Sequence, residues 1–380
     1  MSKYVSMIVV GICMLLVGLA PGTLPTVHAA QFEIRLAHPD PADIYTSRKA
    51  AGSTVFKAMV ENETGGAVKV NLFPAGQLGG EREIAEGVKL GSIQVGMLSG
   101  PFSGFCKEAQ VFDIPYLFPS LLVAYRTLDG PFGKELAQEC LQKTGMRILT
   151  YAQVGFRNFT NSARVIKTPA DVKGLKFRVM ENPVYMNLVR SMGGAPTPIP
   201  WPETYTALQQ KVVDGQENPI SSIKFAKLYE VQKYMTMDGH TFGVSFMLIN
   251  EKFFQGLPKE FQAIVKNAAL TSAVSENGID NLENSQGLQF LKDKGMEVYV
   301  PTAAEKNQFR TIAQPAVIEF LEKQVGRPWI DKVLNAVKQT EAALAQYPRK
   351  TAGAGDGNPP PQGTHFTSAT TRRSCPEREM

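Results

Sequence analysis

The first part of the chain alternates between short strands and helices. Residues 32–38 and 68–73 place apolar and polar side chains at every second position, a pattern typical of half-buried strands. Residues 47–63 lie between them and predict a helix that ends before a pair of glycines. A further helix leads into a third strand within residues 91–97. This order predicts an α/β unit with a largely parallel sheet.

A second stretch of this kind, residues 174–218, carries the main candidates for chemistry. Leu175, Phe177 and Val179 alternate with two basic residues, the second of which is Arg178. The period of two predicts a strand on which Arg178 points away from the face that the apolar side chains bury. An ordinary solvated arginine at a strand edge is the alternative interpretation of this position.

The same stretch continues through two predicted helices to a polar end. A turn rich in glycine and proline occupies residues 193–198, and Pro202 lies near the first turn of the second helix. The stretch ends at Asn218, for which a role in a turn or a helix cap is the alternative. A guanidinium matches a carboxylate with two hydrogen bonds, and an amide donates a further one. Arg178 and Asn218 therefore predict a clamp for a carboxylate.

The remaining elements are predicted to connect two α/β units. Residues 146–151 predict a strand, and residues 155–161 predict a crossover from the first unit to the second. Residues 229–234 belong to a predicted helix, and residues 243–250 to a strand that returns to the first unit. Residues 258–294 are helix-like for most of their length, so we expect one long helix shared by both units. A short strand and further helices are expected up to about residue 345.

Composition indicates a globular protein and a compartment. The 380 residues include 43% hydrophobic ones, enough for two domains, and the net charge of +5 is not clustered, so nucleic acid is not indicated as a partner. An apolar run over residues 7–20, followed by a small-residue cleavage pattern, predicts a signal peptide at residues 1–29 and a periplasmic protein. The run is short for a membrane anchor. Residues 351–380 are rich in Gly, Pro, Ser and Thr and predict a disordered tail.

The cysteines leave two possibilities open. Removal of the signal peptide leaves Cys106, Cys140 and Cys375, an odd number in an oxidising compartment. A bridge between Cys106 and Cys140 is one possibility. Two unpaired cysteines are the expectation we favour, because Cys140 lies on a predicted helix and nothing else in the sequence indicates a disulfide framework.

The sequence contains little that indicates catalysis. Of the four histidines, only His38 and His240 lie between the predicted signal peptide and the tail. The zinc-binding and hydrolase patterns and the glycine-rich phosphate loops are missing from the sequence. We therefore expect a protein that is not an enzyme and that has no cofactor and no metal site.

Four segments in the central stretch resemble one family when taken together. They are residues 173–178, 196–198, 201–209 and 213–219, and their joint order and spacing make the likeness specific. They resemble the solute-binding proteins, of the DctP type, that serve tripartite ATP-independent periplasmic (TRAP) transporters. The likeness extends from about residue 32 to about residue 345.

This resemblance implies a fold of two lobes that close on a ligand. The first lobe is expected to comprise residues 31–154 and 244–283, and the second lobe residues 155–243 and 284–345. Each lobe is expected to contain a largely parallel sheet, as in other binding proteins of the Venus-flytrap type, and the long helix is expected to be shared by both lobes.

The resemblance also implies a set of ligand-binding residues. Arg178 matches the arginine that pairs with the ligand carboxylate, Arg157 matches a second arginine near the ligand, and Asn218 matches an amide on the carboxylate. A salt bridge at the hinge is the alternative role for Arg157. Trp201 is expected to pack against the carbon skeleton of the ligand, and packing in the protein core is its alternative role. Glu81 and His38 match polar positions that vary with the substrate in the family and are expected to bind hydroxyls, with simple solvation as the alternative. Gln153 and Asn182 are expected at the rim of the pocket.

The expected function is that of a receptor which binds a small organic acid, such as a C4-dicarboxylate or a sugar acid, and delivers it to a TRAP-type membrane permease. A monomer is expected. Ser99 lies where some sialic-acid binders carry an acidic residue, which disfavours sialic acid. Two other functions stay open at this point: the ligand-binding component of a sensory system, and a periplasmic enzyme acting on an organic acid.

Overall fold

The structure, a computed structural model, describes residues 30–346 of the chain. The predicted signal peptide, the predicted tail and Cys375 lie outside the described residues. Within them there are nine strands: β1 (Phe32–Ala37), β2 (Val68–Phe73), β3 (Val95–Leu98), β4 (Met146–Asn161), β5 (Lys176–Val179), β6 (Ala195–Pro198), β7 (Gly215–Asn218), β8 (Tyr234–Asn250) and β9 (Glu297–Tyr299).

Eleven α-helices lie in the same range. They are α1 (Arg48–Glu63), α2 (Glu81–Leu90), α3 (Leu121–Leu128), α4 (Pro131–Thr144), α5 (Pro183–Ser191), α6 (Thr204–Gln209), α7 (Ile220–Phe225), α8 (Glu251–Gly256), α9 (Lys259–Asp293), α10 (Ala303–Val325) and α11 (Arg327–Ala345). Short 3₁₀ helices occupy Gly100–Gly104, Lys107–Asp113, Pro169–Val172, Trp201–Glu203 and Leu228–Glu230.

The nine strands form one mixed sheet in the order β2-β1-β3-β8-β4-β7-β5-β6, with β9 beside β8. Strands β2, β1 and β3 are parallel to one another, and so are β7, β5 and β6. We call the first group with its helices the first lobe and the second group with its helices the second lobe. The two-lobed α/β fold with parallel strands in each lobe is confirmed.

Two long antiparallel strands, β4 and β8, connect the lobes. They pair along most of their length, and the register shifts between Gln153 and Gly155 and again between Arg157 and Phe159. Gly155 has φ +107°, and a Cβ there would lie 3.1 Å from an oxygen of Asp280. The predicted strand and the predicted crossover at 155–161 are thus one continuous strand. The pattern did not predict this because β4 is buried on both faces and lacks an alternation.

The predicted long helix is present as α9, which has 35 residues. It packs along α1 of the first lobe and against α7 of the second. Gly287 permits the close approach to α7, since a Cβ at this position would lie 2.4 Å from Ile220. The predicted helix at residues 229–234 is wrong: a 3₁₀ turn ends at Glu230 and β8 begins at Tyr234, where it pairs with β4 and β9. Pairing on both sides of Tyr234 outweighed its local helical pattern.

The last helix, α11, packs against α3 and α4. Lys332 of α11 pairs with Glu135 of α4 at 2.5 Å, and Thr127 of α3 bonds to Thr340 of α11 at 3.3 Å. The helices α3 and α4 belong to the range predicted for the first lobe, whereas α11 belongs to the range predicted for the second. The exact division of the chain into lobes stays a prediction.

Cys106 and Cys140 form a disulfide with a Cα–Cα distance of 5.3 Å. The expectation of two unpaired cysteines is therefore wrong. A helical position does not prevent a bridge: Cys140 faces inward from α4 toward the 3₁₀ segment that begins after Cys106, and both residues are fully buried. Among the helices of residues 30–346, none is both long and apolar enough to cross a membrane.

Candidate functional site

A narrow cleft lies between the two lobes, beside the point where β4 passes from one to the other. Its free volume is about 20 Å³, enough for little more than one water molecule. Five of the predicted site residues line it, namely Arg178, Arg157, Asn218, Trp201 and Glu81. Five further polar residues line it as well: Asp40, Arg48, Lys49, Ser99 and Ser222. Of these, the sequence analysis singled out Ser99 alone, as the position that disfavours sialic acid.

Arg178 is a buried cation without an acidic partner among the described residues. It lies on β5 and is 1% exposed. Its Nε donates to the carbonyl oxygen of Ile199 at 2.9 Å, while Nη1 is buried and has no hydrogen-bond partner. The ring of Trp201 lies 5.6 Å from its Cζ, a favourable cation–π position. The guanidinium therefore has an unused donor in a cleft from which water is largely excluded.

Burial also affects the charge of Arg178. Burial, together with the positive charge of Arg157, lowers the pKa of Arg178 to about 10. The side chain is still protonated at neutral pH, but its charged form is poorly solvated. An anion brought into the cleft would supply the missing partner.

Arg157 on β4, by contrast, is fully paired with Glu217 on β7. Its Nε donates to Oε2 of Glu217 at 2.5 Å, and its Nη2 donates to Oε1 at 2.9 Å and to the backbone oxygen of the same residue at 2.7 Å. The ring of Tyr185 lies 5.2 Å from the Cζ of Arg157. Both the arginine and the glutamate are buried. The salt bridge foreseen as the alternative for Arg157 is thus present, and the residue still borders the cleft.

Glu217 connects Arg157 to a second buried charge. Oε2 of Glu217 is 3.2 Å from Nε2 of His240, whose Nδ1 is 2.8 Å from Oδ2 of Asp238. Burial alone would lower the pKa of His240, but Asp238 and Glu217 raise it to about 9. Burial alone would raise the pKa of Glu217, but Arg157 and His240 hold it below its usual value. The network therefore joins Arg157 and a histidine that is protonated at neutral pH through the buried carboxylate of Glu217.

Asn218 is placed by strand pairing. It ends β7, where it lies opposite Asn158 of β4, while Gln216 two residues earlier lies opposite Arg178 of β5. Nδ2 of Asn218 donates to Oε1 of Gln216 at 2.5 Å. The pairing of β4, β7 and β5 thus brings Arg157, Asn218 and Arg178 to one side of the cleft.

The opposite side of the cleft belongs to the first lobe and is formed by the start of α1 and by α2. The side chain of Ser47 accepts a hydrogen bond from the backbone N–H of Ala50 and so starts α1. The two residues that follow Ser47, Arg48 and Lys49, are consequently both in the first turn, and both are buried. From the sequence they resemble a solvated basic pair, which is why they were missed.

These two cations are held by carboxylates. Lys49 lies 3.2 Å from Glu81 and 3.8 Å from Asp40. Arg48 lies 3.6 Å from Asp40 and 3.5 Å from Asp280 of α9. Glu81 also accepts hydrogen bonds from the backbone N–H and the hydroxyl of Ser99, at 2.7 and 2.8 Å. This side of the cleft is therefore rich in charge without an excess of positive charge.

Three predicted site residues do not line the cleft. His38 is buried beside Ser53, with 3.4 Å between its Nε2 and the hydroxyl oxygen. The side chain of Gln153 bonds to Tyr125 and to α9. Asn182 caps α5, and its amide donates to Asp113 at 2.7 Å. The polar side-chain atoms of Gln153 and Asn182 contact the protein instead, whereas His38 makes this single contact and its Nδ1 is buried without a partner. Such surroundings cannot be inferred from sequence position.

A wider crevice lies elsewhere. It has a volume of about 600 Å³ and is lined by α9, α10, the loop before α3 and the outer surface of β4 and β8. Its lining is mainly apolar, with Lys306 and Arg310 of α10 at its rim. We place the candidate site in the narrow cleft, because that is where the unpaired buried cation lies. Among residues 30–346 there is no cluster of His, Cys, Asp or Glu suited to a metal ion.

The chain is similar to one family over most of its length. Residues 41–324 match the model of the bacterial extracellular solute-binding proteins, family 7. A solute-binding protein of Verminephrobacter eiseniae is 38% identical over 76% of this chain and 86% of its own length. The C4-dicarboxylate-binding periplasmic protein DctP of Rhodobacter capsulatus is 31% identical over 72% of this chain and 82% of its own length.

The fold is likewise similar to solved structures. The sugar acid binding protein DctPAm from Advenella mimigardefordensis, solved in complex with galactonate, is 32% identical to this chain. The similarity covers 82% of this chain and 100% of that protein, with a TM-score of 0.78.

Proposed function

The chain belongs to the family-7 bacterial extracellular solute-binding proteins, the receptors of TRAP transporters, and on this premise we propose that it captures a small organic acid and delivers it to a membrane permease. Members of this family bind small organic acids and work with membrane permease components. We propose the same division of labour here, with a TRAP-type permease as the partner and a monomeric receptor in the periplasm, exported by the segment at residues 1–29.

The observation that carries this proposal is the unpaired guanidinium of Arg178. It is buried, it has a free N–H, and no carboxylate of the described residues lies within salt-bridge distance. A carboxylate ligand would satisfy that N–H and neutralise the charge at once. Asn218 and the Arg157–Glu217 pair would then border the carboxylate, and Trp201 would cover the carbon skeleton.

Entry of a ligand requires the lobes to separate. The cleft has too little free volume for an organic acid, and contacts already join its two sides, such as Arg48 Nη1 to Ser222 Oγ at 3.1 Å. Rotation about β4 and β8 near Gly155 would open the cleft, and closure would bury the ligand. A ligand-dependent decrease in the radius of gyration, measured by small-angle scattering, is the expected sign of this motion.

The relatives indicate which acids to test first. Named ligands among them include C4-dicarboxylates and galactonate. We propose this class of small carboxylates as the ligand of this protein and the first panel for a thermal-shift screen. Mass spectrometry of acids released from freshly purified, denatured protein would identify a ligand outside the panel.

The decisive experiment is substitution of Arg178. Lysine keeps the charge but lacks the planar fork, so Arg178→Lys should bind the ligand at least about tenfold more weakly in titration calorimetry. Arg178→Ala should cost roughly 2–5 kcal/mol, or about 30-fold to several thousand-fold in affinity. Arg190→Lys, on the exposed face of α5, is the matched control and should bind like the wild type. Wild-type affinity in folded Arg178→Lys would remove the carboxylate clamp from the proposal.

Two other functions are less well supported. A receptor that delivers its ligand to a sensory protein would have the same cleft. A permease gene next to the gene of this protein would argue against such a sensory role. A periplasmic enzyme would need a nucleophile or a base at the ligand, and the cleft carboxylates are instead held by Arg48, Lys49 and Arg157. We propose that the protein is not an enzyme; turnover of a bound acid by the pure protein would contradict this.

A further inference from the structure

Two polar atoms on the first-lobe side of the cleft have no hydrogen-bond partner. They are Oδ2 of Asp40, which can only accept, and Nε of Arg48, which can only donate, and both are buried. The two side chains are neighbours, since Nη2 of Arg48 lies 3.6 Å from that same Oδ2. Both residues line the cleft. An unused acceptor therefore lies beside an unused donor, across the cleft from Arg178.

This side of the cleft has no surplus of positive charge, because its two cations contact three carboxylates. Arg48 and Lys49 are the cations, and Asp40, Glu81 and Asp280 are the carboxylates within 4.0 Å of them. Burial alone would raise the pKa of Asp40, but Lys49 and Arg48 keep it below its usual value, so this carboxylate stays ionised. The surplus positive charge of the cleft is at Arg178, on the other side. A ligand with one negative charge matches this distribution.

The chemical group that fits both unpaired atoms is a hydroxyl. A carboxylate has only acceptors and an ammonium only donors, so each would satisfy one of the two atoms and oppose the other. A hydroxyl donates its hydrogen to one atom and accepts a hydrogen bond from the other. We propose that the ligand is a polyhydroxy monocarboxylic acid, with its carboxylate on Arg178 and a hydroxyl between Asp40 and Arg48. This inference rests on the proposed carboxylate receptor and narrows its ligand class.

The same arrangement discriminates against dicarboxylates. A second carboxylate reaching this side would place acceptor against acceptor and negative charge against the ionised Asp40. Buried like charges and unpaired groups of this kind are how binding sites reject a near relative of their ligand. Asp40 and Arg48 would therefore act as specificity-determining residues, while Arg178 supplies the charge that every carboxylate needs.

The first test compares acids of equal length by titration calorimetry on the wild-type protein. D-Erythronate, succinate and butyrate each have four carbons, and D-galactonate, adipate and hexanoate each have six. We expect the hydroxylated acid of at least one length to bind at least about tenfold more tightly than its two counterparts. If a dicarboxylate binds as tightly or more tightly, this inference is wrong and the proposed function stands. If no acid of either length binds, this inference is wrong, and the acid released from denatured protein then tests the proposed function.

The second test uses one substitution to shift the ligand preference from hydroxylated acids toward dicarboxylates. Asp40→Asn keeps the size of the side chain, removes its charge and adds a donor that suits a carboxylate. The ratio of aldonate affinity to dicarboxylate affinity should fall at least about tenfold in this variant. Asp43→Asn is the control, because Asp43 lies exposed on the same loop. A merely structural role of Asp40 would weaken both ligands alike, and an unchanged ratio in folded Asp40→Asn would overturn the assignment.

Discussion

Two strands on either side of β7 bring one buried arginine each to the cleft, and the two arginines differ in what surrounds them. On β4, Arg157 makes three hydrogen bonds to Glu217, and the network continues through His240 to Asp238. On β5, Arg178 makes one hydrogen bond, to a backbone oxygen, and has a buried N–H without a partner. Both side chains are 1% exposed, so exposure does not separate them.

The difference separates stability from binding. Removing one member of a buried ion pair leaves the other charge uncompensated, which is why a paired arginine is costly to remove from a folded protein. The burial of an arginine without a partner already lowers the stability of the folded protein, and a bound ligand would offset this loss. We therefore interpret Arg157 as a residue that holds the β4–β7 region together and Arg178 as the residue that holds the ligand.

The largest effect is expected for Arg157→Met. Glu217 would then remain buried with His240 as the cation still in contact with it, and the free energy of unfolding should fall by about 3–5 kcal/mol in urea denaturation. The double variant Arg157→Met/Glu217→Gln removes both charges of the pair and should recover part of the loss. A loss below about 1 kcal/mol in the single variant would contradict a stabilising role for this pair.

A smaller effect on stability is expected when the pH is raised, because His240 of the same network then loses its proton. The pKa of His240 is raised from 6.5 to about 9, so the folded protein binds a proton that the unfolded chain releases at lower pH. Protonated His240 therefore contributes up to about 3 kcal/mol to the free energy of unfolding. This contribution is fully present below about pH 6.5 and is lost as the pH rises through about 9. The stability difference between wild type and His240→Gln should shrink over this range. A constant difference would show that His240 does not titrate as proposed.

The smallest effect on stability is expected for Arg178→Met. This change removes a desolvated charge with a single hydrogen bond, so the free energy of unfolding should stay within about 1 kcal/mol of the wild type or rise. The increase in melting temperature that a bound acid produces should nevertheless disappear. A destabilisation as large as that of Arg157→Met would break the comparison, because it would show that both arginines serve the fold.

Much of the site was accessible from the sequence because strand periodicity determines side-chain direction. The alternation around Arg178 predicted a strand and pointed this side chain away from the apolar face, and it does reach the cleft. The same alternation did not indicate that it would be buried, since burial comes from the other lobe. His38, Gln153 and Asn182 were predicted by position alone, and the structure places all three outside the cleft lining.

Other features were decided by pairing between distant segments. The continuity of β4 and β8 depends on each strand having the other as its partner, across about ninety residues of chain. The Cys106–Cys140 bridge depends on how α4 packs against the 3₁₀ segment after Cys106. Asp40 and Arg48 resemble ordinary surface charges until α1, α2 and α9 enclose them.

The sequence by itself determined which elements form and which residue types could meet a carboxylate, because local periodicity, helix caps and turn residues act over a few neighbours. Only the tertiary structure decided which of two buried arginines is already paired. β7 lies between β4 and β5, and its register places Gln216 opposite Arg178 while Glu217 pairs with Arg157. Strand order and register are fixed by the packing of the whole sheet rather than by any local pattern.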